Sequence, residues 1–335
     1  MKKAIIIIIL NFIILTPALA SDDVIGLFGK YNKRYKFLDN QGALLSIKKI
    51  KKDRQQGLYR SSAFGELSET KGLEWVIPKA KKAKDDTYND TYFDKKEIVI
   101  LNQNNTKAID EFTPFKKYNL GWILATVGDL YPEYEGDEIA VCRTHTVRPL
   151  IKIYSYSDED GPELINSFKP FGKNTKNRRW CRDMDIGDVD GDGQNELVVS
   201  KYYSKKRIKV FSNDGNVKKI FNIKKTNPRS FKLADIDGDG REEMIFKDNY
   251  DIRAISYDGE TILNVSSEDY DIEFFDRFDV GNIDQDEKDE IIFTEPIYRK
   301  GLFIIDDNGD VEYHFRYRTK IRRANRILLV GPFEY

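Results

Sequence analysis

The chain has 335 residues, with 55 Lys or Arg against 56 Asp or Glu, so its formal net charge is −1. This balance does not favour a nucleic-acid-binding protein, because binding to phosphates depends on an excess of positive charge. The two histidines and two cysteines have no zinc-site spacing. The sequence also has no nucleophile elbow and no phosphate-binding loop, so it supplies no enzyme mechanism and an enzyme is the less favoured class.

The first twenty residues have the pattern of a secretory signal peptide. Two lysines at positions 2 and 3 precede an apolar run over residues 4–15, and Ala18 and Ala20 supply small residues at the cleavage site. The run is too short for a stable membrane span, so an uncleaved anchor is the less favoured alternative. We expect removal of residues 1–20, which leaves one domain at 21–335 in the periplasm or outside the cell, with no transmembrane segment.

A hairpin pattern recurs along the rest of the chain. Short apolar β-rich segments alternate with turns that contain Gly or Asn, and Asp-Gly or Asn-Gly between alternating strands is the strongest short-range hairpin signal. The pattern occurs six times, with turns at Gly42, Asn105, Gly161, Gly215, Gly259 and Gly309.

Three short acidic loops lie in the second half of the chain, and an apolar run that reads as a strand follows each one directly. They are Asp188–Glu196, Asp235–Glu243 and Asn282–Glu290, which we call the first, second and third acidic loops. Side-chain oxygens at loop positions 1, 3, 5 and 9, with a main-chain carbonyl at position 7, suit Ca²⁺, which takes six to eight hard oxygen ligands.

The predicted calcium ligands follow from these positions. The first loop supplies Asp188, Asp190, Asp192, Gln194 and Glu196. The second loop supplies Asp235, Asp237, Asp239, Arg241 and Glu243. The third loop supplies Asn282, Asp284, Asp286, Lys288 and Glu290.

Sequence differences among the loops predict two strong calcium sites and one weaker site. Gly193 and Gly240 occupy position 6, where we expect a sharp turn with positive φ. The third loop has Glu287 there and Asn282 at position 1, so it has one carboxylate fewer. We expect Glu287 to be strained by about 1–2 kcal/mol in left-handed geometry.

Two fainter copies of the loop frame, which we call the plain frames, precede the acidic loops. They run from Gly65 to Glu74 and from Gly128 to Glu138, and they lack the alternating Asp residues, so we assign them no calcium. Frame, strand, connection and hairpin together make a four-stranded propeller blade. We expect an all-β propeller with six blades favoured, or seven if residues 22–34 contain another hairpin. The strand at 327–330 is expected to close the ring by pairing with N-terminal residues.

The acidic loops resemble EF-hands only locally, because an EF-hand has its last ligand at position 12 and flanking helices. The complete pattern resembles the FG-GAP (VCBS, integrin α-chain) repeat family. That resemblance implies a β-propeller with Ca²⁺ bound in such loops.

Export also permits a disulfide bond. Cys142 ends a strand and Cys181 begins the strand that leads to the first acidic loop. The sequence leaves two alternatives, which are a Cys142–Cys181 disulfide and two buried free thiols.

The face opposite the acidic loops is predicted to bind a ligand. Acidic loops and hairpin turns join strands at one end of each blade, so the other connections lie at the opposite end. These connections are basic and aromatic, and a face of one charge attracts partners of the opposite charge. The predicted ligand-binding residues are Arg143, His145, Arg148, Arg178, Arg179, Trp180 and Arg182, and scattered solvated charges are the alternative.

These features favour an exported, calcium-binding propeller that acts as a non-catalytic ligand-binding or adhesion module. The expected partner is an extracellular or envelope protein, or an anionic glycan. One alternative is a carbohydrate-active enzyme, since some polysaccharide lyases are similar in architecture. A structural component of an envelope complex is another.

Overall fold

A computed structural model represents the chain. It describes residues 24–29, 34–38, 44–49, 63–68, 74–82, 92–102, 108–115, 123–143, 149–172, 180–202, 207–223, 231–248, 250–273, 275, 277–284, 286–294, 301–316 and 326–331. The signal peptide predicted at residues 1–20 lies outside these ranges.

The described strands, numbered in chain order, begin with β1 (Val24–Gly29), β2 (Arg34–Leu38) and β3 (Leu44–Lys49). Blade 1 contains β4 (Ala63–Gly65), β5 (Glu74–Lys82), β6 (Tyr92–Asn102) and β7 (Ala108–Phe112). Blade 2 contains β8 (Ile123–Gly128), β9 (Glu138–Arg143), β10 (Ile151–Ser157) and β11 (Gly161–Phe168).

Blade 3 contains β12 (Trp180–Gly187), β13 (Glu196–Tyr202), β14 (Arg207–Phe211) and β15 (Val217–Asn222). Blade 4 contains β16 (Phe231–Ala234), β17 (Glu243–Asp248), β18 (Asp251–Ile255) and β19 (Thr261–Ser266), followed by a short 3-10 helix (Ser267–Tyr270). Blade 5 contains β20 (Arg277–Gly281), β21 (Glu290–Thr294), β22 (Gly301–Ile305) and β23 (Val311–Arg316), and β24 (Arg326–Gly331) follows.

The described strands form an all-β propeller of antiparallel four-stranded sheets, as predicted. Five sheets are blades of four consecutive strands, and another four-stranded sheet combines both ends of the chain in the order β24-β1-β2-β3. The predicted pairing of the C-terminal strand with N-terminal residues is confirmed, because Ile25 lies opposite Val330 and Leu27 opposite Leu328. Strand β1 lies within residues 22–34 and pairs with β2 in this composite sheet. Blades made of four consecutive described strands therefore number five, and not the six or seven expected from the sequence.

The first strands of successive blades lie side by side, from β4 through β8, β12, β16 and β20 to β24. Apolar clusters fill the spaces between neighbouring sheets; one of them joins Ile245 and Ile252 of blade 4 to Phe293 and Phe303 of blade 5. All five residues of β21 and of β22 are buried. Inner strands that are covered on both faces explain the continuous apolar runs in the sequence. A strand with one face exposed to solvent would instead show alternating apolar and polar residues.

The predicted Asp-Gly and Asn-Gly hairpins are present in blades 3 to 5. Gly215, Gly259 and Gly309 have φ of 86°, 90° and 84°, which a side chain would disfavour. Each turn is accompanied by a register shift in the paired strands, such as the one between Val210 and Phe211. The turn therefore combines a left-handed glycine with a β-bulge.

A disulfide joins Cys142 on β9 to Cys181 on β12, with the two Cα atoms 6.7 Å apart. Both cysteines are buried, and the bond ties blade 2 to blade 3. Of the two states left open by the sequence, the structure has the disulfide. None of the described helices has the length and apolar character needed to cross a membrane.

Candidate metal centres

The three acidic loops occupy equivalent places in blades 3, 4 and 5. Each loop joins the first strand of its blade to the second, and its terminal Glu is the first residue of β13, β17 or β21. The loops therefore lie at one end of the propeller, on the same side as the hairpin turns. A contact between Lys288 of the third loop and Asp307 of the β22–β23 turn, at 2.5 Å, places loop and turn together.

The terminal Glu has the same role in the acidic loops and in the plain frames. The residue is between 0% and 3% exposed in all five cases. It accepts a hydrogen bond from the backbone N–H near the start of its own loop, for example from Val189 to Glu196 at 3.3 Å and from Leu67 to Glu74 at 3.0 Å. Equivalent bonds are made by Glu138, Glu243 and Glu290. This residue therefore closes the loop whether or not the alternating aspartates are present.

The first two loops share a backbone geometry that the sequence predicted only in part. Gly193 and Gly240 at position 6 have the expected positive φ, 81° and 84°, and Gly191 and Gly238 at position 4 also have positive φ. The N–H groups of these glycines donate to the position 1 carboxylate, as Gly193 does to Asp188 at 2.8 Å. These bonds hold the position 1 carboxylate in a fixed orientation.

The third loop has a different backbone, and the prediction that Glu287 is strained is wrong. Among the described residues, Asp271 is the sole non-glycine with positive φ, so Glu287 does not adopt left-handed geometry. The side-chain amide of Asn282 donates to the carbonyl of Asp286 at 2.5 Å. This bond supports a turn that differs from the glycine turns of the first two loops. Because the loop avoids left-handed geometry, the argument for its weakness from backbone strain no longer holds.

The carboxylates within each loop converge. Ligand oxygens lie within 4.8 Å of one another in three groups, which are Asp188, Asp190 and Glu196; Asp235, Asp237 and Asp239; and Asp284, Asp286 and Glu290. Burial first, and then the charge of Asp239, raises the pKa of Asp237, while burial and the charge of Asp237 raise the pKa of Glu243 to about 8. A bound cation would remove this mutual repulsion.

These donor sets fit Ca²⁺ by their chemistry, since they are hard oxygens in short loops. In the first loop, Asp190 Oδ1 is buried without a hydrogen-bond partner, as expected of an oxygen directed at a cation. Position 7 residues Gln194, Arg241 and Lys288 donate their N–H groups to the carboxylate at position 5, at 2.9, 2.9 and 2.7 Å. This bond fixes the position 5 carboxylate in all three loops.

A lysine from the neighbouring hairpin reaches into the first loop. Lys218 on β15 places its Nζ 2.6 Å from Asp190, 3.0 Å from Asp192 and 2.7 Å from Glu196. Burial by itself would lower the pKa of Lys218, but the hydrogen bonds to Asp190, Glu196 and Asp192 outweigh it and raise that pKa. Lys218 was not among the predicted site residues, because it lies outside the loop in sequence.

In blades 2 and 5, the residue before the terminal Glu links its loop to the preceding blade. Asp289 donates its N–H to the carbonyl of Asp235 at 2.9 Å and accepts the Asp235 N–H on its carboxylate at 3.1 Å. Asp137 makes the same pair of bonds with Glu66, at 2.7 and 2.8 Å. We call this pair of bonds the inter-blade latch. The inter-blade latch connects the start of one loop frame to the next blade, and it occurs both among the plain frames and among the acidic loops.

The predicted ligand face is described only in part. Arg143 ends β9 and Arg182 lies near the start of β12, so both are at the end of the blades away from the acidic loops. The backbone of Trp180 begins β12 at the same end. His145, Arg148, Arg178 and Arg179 lie outside the described residues.

Aromatic rings accompany the described basic residues of that end. Arg143 lies 5.5 Å from the centroid of the Phe115 ring, and Lys152 lies 5.6 Å from the same ring. In the next blade, Lys201 and Lys209 lie 6.0 and 5.8 Å from the Phe171 ring. These spacings are those of cation–π contacts, which hold a cationic side chain over a ring without neutralising its charge.

The sheets and their repeated loop frames, three of them acidic, define the chain as a β-propeller. Residues 177–246 match the family model of the FG-GAP-like repeat, and this stretch contains the first and second acidic loops. The resemblance to the FG-GAP family is thereby confirmed in this part of the chain. A search of curated proteins found no match.

Solved structures with a similar fold share little sequence with the chain. A protein of unknown function from Bacteroides caccae has a TM-score of 0.52 at 10% identity, over 89% of this chain and 95% of that one. The β-propeller domain of Cps50 (Swd1) from Myceliophteria thermophila has a TM-score of 0.50 at 9% identity, over 92% and 96%. BBS1N, from a complex with ARL6DN, has a TM-score of 0.51 at 9% identity, over 85% and 76%. These likenesses show the fold alone.

Proposed function

We propose that this protein is an exported β-propeller that binds Ca²⁺ through its acidic loops and recognises an anionic partner at the opposite end. The observation that carries the calcium proposal is the convergence of Asp235, Asp237 and Asp239 within 4.8 Å in the second loop. Three carboxylates at that separation repel one another strongly unless a cation lies between them. The Asp-rich spacing and the glycines with positive φ support Ca²⁺ as that cation.

Export is supported by two independent features. The sequence begins with a charged segment, an apolar segment and small residues in the order of a signal peptide. The disulfide between Cys142 and Cys181 is of a kind that persists in oxidising compartments. Calcium outside the cytosol reaches concentrations that fill modules with Kd of about 10⁻⁴–10⁻³ M.

The binding role is supported by the charge separation along the propeller axis. One end carries the acidic loops, while the described part of the other end in blades 2 and 3 carries Arg143, Lys152, Lys201 and Lys209 beside aromatic rings. These positive side chains suit an anionic glycan, because cations attract its acidic groups. The Phe115 and Phe171 rings are themselves buried and hold the cations in place. The acidic groups of an envelope protein would be attracted in the same way.

Heparin, as an anionic polysaccharide probe, tests the binding proposal. We expect the mature protein to bind a heparin column and to elute at lower NaCl concentration after Lys152→Glu and Lys209→Glu are combined. The matched control is Lys219→Glu, a reversal on the hairpin at the calcium end. If the double variant and the wild-type protein elute at the same salt concentration, the basic end is not the binding face.

Calorimetric titration of the metal-free mature protein with CaCl₂ tests the calcium proposal separately. We expect saturable binding that Asp237→Ala weakens. A wild-type protein that shows no binding heat and no change in melting temperature with calcium would refute the metal assignment, whatever the heparin result.

A further inference from the structure

One position in the β-hairpin faces the acidic loop of its own blade. The strand registers align this position across blades 3, 4 and 5. Val217 lies opposite Phe211, Thr261 opposite Ile255 and Val311 opposite Ile305, each directly after the register shift of its hairpin. The next residue in each strand is therefore equivalent, and the three equivalent residues are Lys218, Ile262 and Glu312. We call this the hairpin position.

In blade 3, the hairpin position brings a cation to the first acidic loop. The ammonium of Lys218 lies within 3.0 Å of carboxylate oxygens of Asp190, Asp192 and Glu196. Two of these residues also belong to the group of converging ligands. A Ca²⁺ ion that used the same oxygens would have to displace this ammonium and break three ion pairs.

In blade 5, the same position brings an additional carboxylate to the third loop. Burial first, and then the charge of Asp284, raises the pKa of Glu312. Glu312 has the same strand register as Lys218, directly after the residue paired across the hairpin bulge, so its carboxylate is placed toward the third loop as the ammonium of Lys218 is toward the first.

The formal charge around each loop changes when the residue at the hairpin position is added to the carboxylates of the loop. The first loop has Asp188, Asp190, Asp192 and Glu196, and Lys218 reduces their −4 to −3. The second loop keeps −4 from Asp235, Asp237, Asp239 and Glu243, because Ile262 is neutral. The third loop has −3 from Asp284, Asp286 and Glu290, and Glu312 restores −4.

We propose that the hairpin position sets the calcium affinity of each loop: Lys218 acts as the resident cation of the first loop, whereas Glu312 adds a carboxylate to the third. This inference rests on the proposed calcium binding and deepens it. It reverses the order expected from the loop sequences alone. The second and third loops fill first, and the first loop fills last.

Exchange of residues at the hairpin position tests this order. In calorimetric titration with CaCl₂, we expect two tighter sites in the wild-type protein and three in the Lys218→Ile variant, which carries the residue of blade 4. The reciprocal variant, Ile262→Lys, is expected to lower the affinity of the second loop by about tenfold or more. Glu312→Gln is expected to weaken the third site.

The matched control is Lys219→Ile. Lys219 is the next residue on the same strand, and it lies over the Tyr257 ring at 4.0 Å and 3.7 Å from Asp258, so its replacement removes the same charge without touching the first loop. This variant is expected to keep two tighter sites.

Melting temperatures give a readout that does not depend on fitting a titration. In chelator, Lys218→Ile should melt below the wild-type protein, because the first loop loses its cation, and calcium should raise its melting temperature more than that of the wild type. A wild-type protein that fills all three loops with equal affinity, unchanged by Lys218→Ile, would overturn the inference while leaving calcium binding intact. No calcium binding in either protein would overturn both proposals.

Discussion

The plain frames of blades 1 and 2 and the acidic loops of blades 3 to 5 close in the same way. In both regions a buried Glu accepts a hydrogen bond from the N–H near the start of the loop, as Glu138 does from Leu130 and Glu243 from Ile236. The regions differ in the alternating aspartates, which occur only in the acidic loops. The terminal Glu is therefore part of the frame itself, and a need for metal comes from the aspartates that precede it.

The largest expected effect is the loss of stability when the metal is removed, because only the acidic loops are predicted to bind it. Calcium that binds only the folded state adds RT ln(1 + [L]/Kd), about 2.7 kcal/mol per site at a hundredfold excess over Kd and about 5 kcal/mol for two sites. We expect excess chelator to lower the melting temperature markedly, and Asp237→Ala to remove part of the response. The control is Asp129→Ala in a plain frame, which should keep the full calcium response. An equal loss in both variants would erase the distinction between the regions.

Removal of the disulfide tests how firmly the two regions are joined. The Cys142–Cys181 bond links blade 2, which has a plain frame, to blade 3, which has the first acidic loop. The double variant Cys142→Ser, Cys181→Ser is expected to lose about 2–4 kcal/mol of unfolding free energy, because the unfolded chain gains freedom. Urea titration measures the loss, which should be equal with calcium and with chelator. A loss that appears only in chelator would mean that the metal and the disulfide stabilise one shared element.

The stability of the metal-free protein is expected to depend on pH through the buried terminal Glu residues of the acidic loops. The pKa of Glu243 is raised to about 8, by burial and then by Asp237, and that of Glu290 also to about 8, by burial and then by Asp284. A carboxylic acid whose folded pKa exceeds its ordinary value of 4.5 favours folding when protonated. Its stabilising contribution is therefore complete below pH of about 4.5 and is lost as pH rises through about 8.

We accordingly expect the stability contributed by these groups in chelator to fall between those pH values, and calcium to reverse the loss by binding the ionised form. Melting curves of wild-type protein and Glu243→Gln, recorded from pH 5 to pH 8.5 in chelator, measure this contribution. The variant should show a smaller fall than the wild type. Identical pH profiles would contradict the assignment of a raised pKa to Glu243.

The smallest expected effect concerns the inter-blade latch, which both regions share. Asp289→Ala removes the carboxylate that accepts the Asp235 N–H, and it should cost about 1–2 kcal/mol of unfolding free energy. Asp137→Ala in the plain region should cost a similar amount, but only Asp289→Ala should also weaken calcium binding, because Asp235 is a predicted ligand. Chemical denaturation and calcium titration of both variants distinguish the two effects. Unchanged calcium affinity in Asp289→Ala would show that the latch is purely structural.

Local sequence signals were sufficient for the fold class and for the position of the loops, but not for the number of blades, which depends on how the two ends of the chain share a sheet. Asp-Gly and Asn-Gly turns, apolar runs and acidic frames each depend on neighbouring residues, and the blades have them where expected. The roles of Lys218 and Asp289 could not be predicted, because they depend on the hairpin bulge and on contacts between blades. Glu287 was misjudged since its loop was assumed to share the backbone of the first two, whereas the amide of Asn282 supports another turn.

The anomalous scattering of calcium in crystals of the mature protein, grown with calcium, tests directly whether the acidic loops bind the ion. We expect anomalous peaks among Asp235, Asp237 and Asp239 in the second loop and among Asp284, Asp286 and Glu290 in the third, with Lys218 still paired to the first loop at low calcium. A calcium-replete crystal with no peak at the second loop would refute calcium binding by these loops.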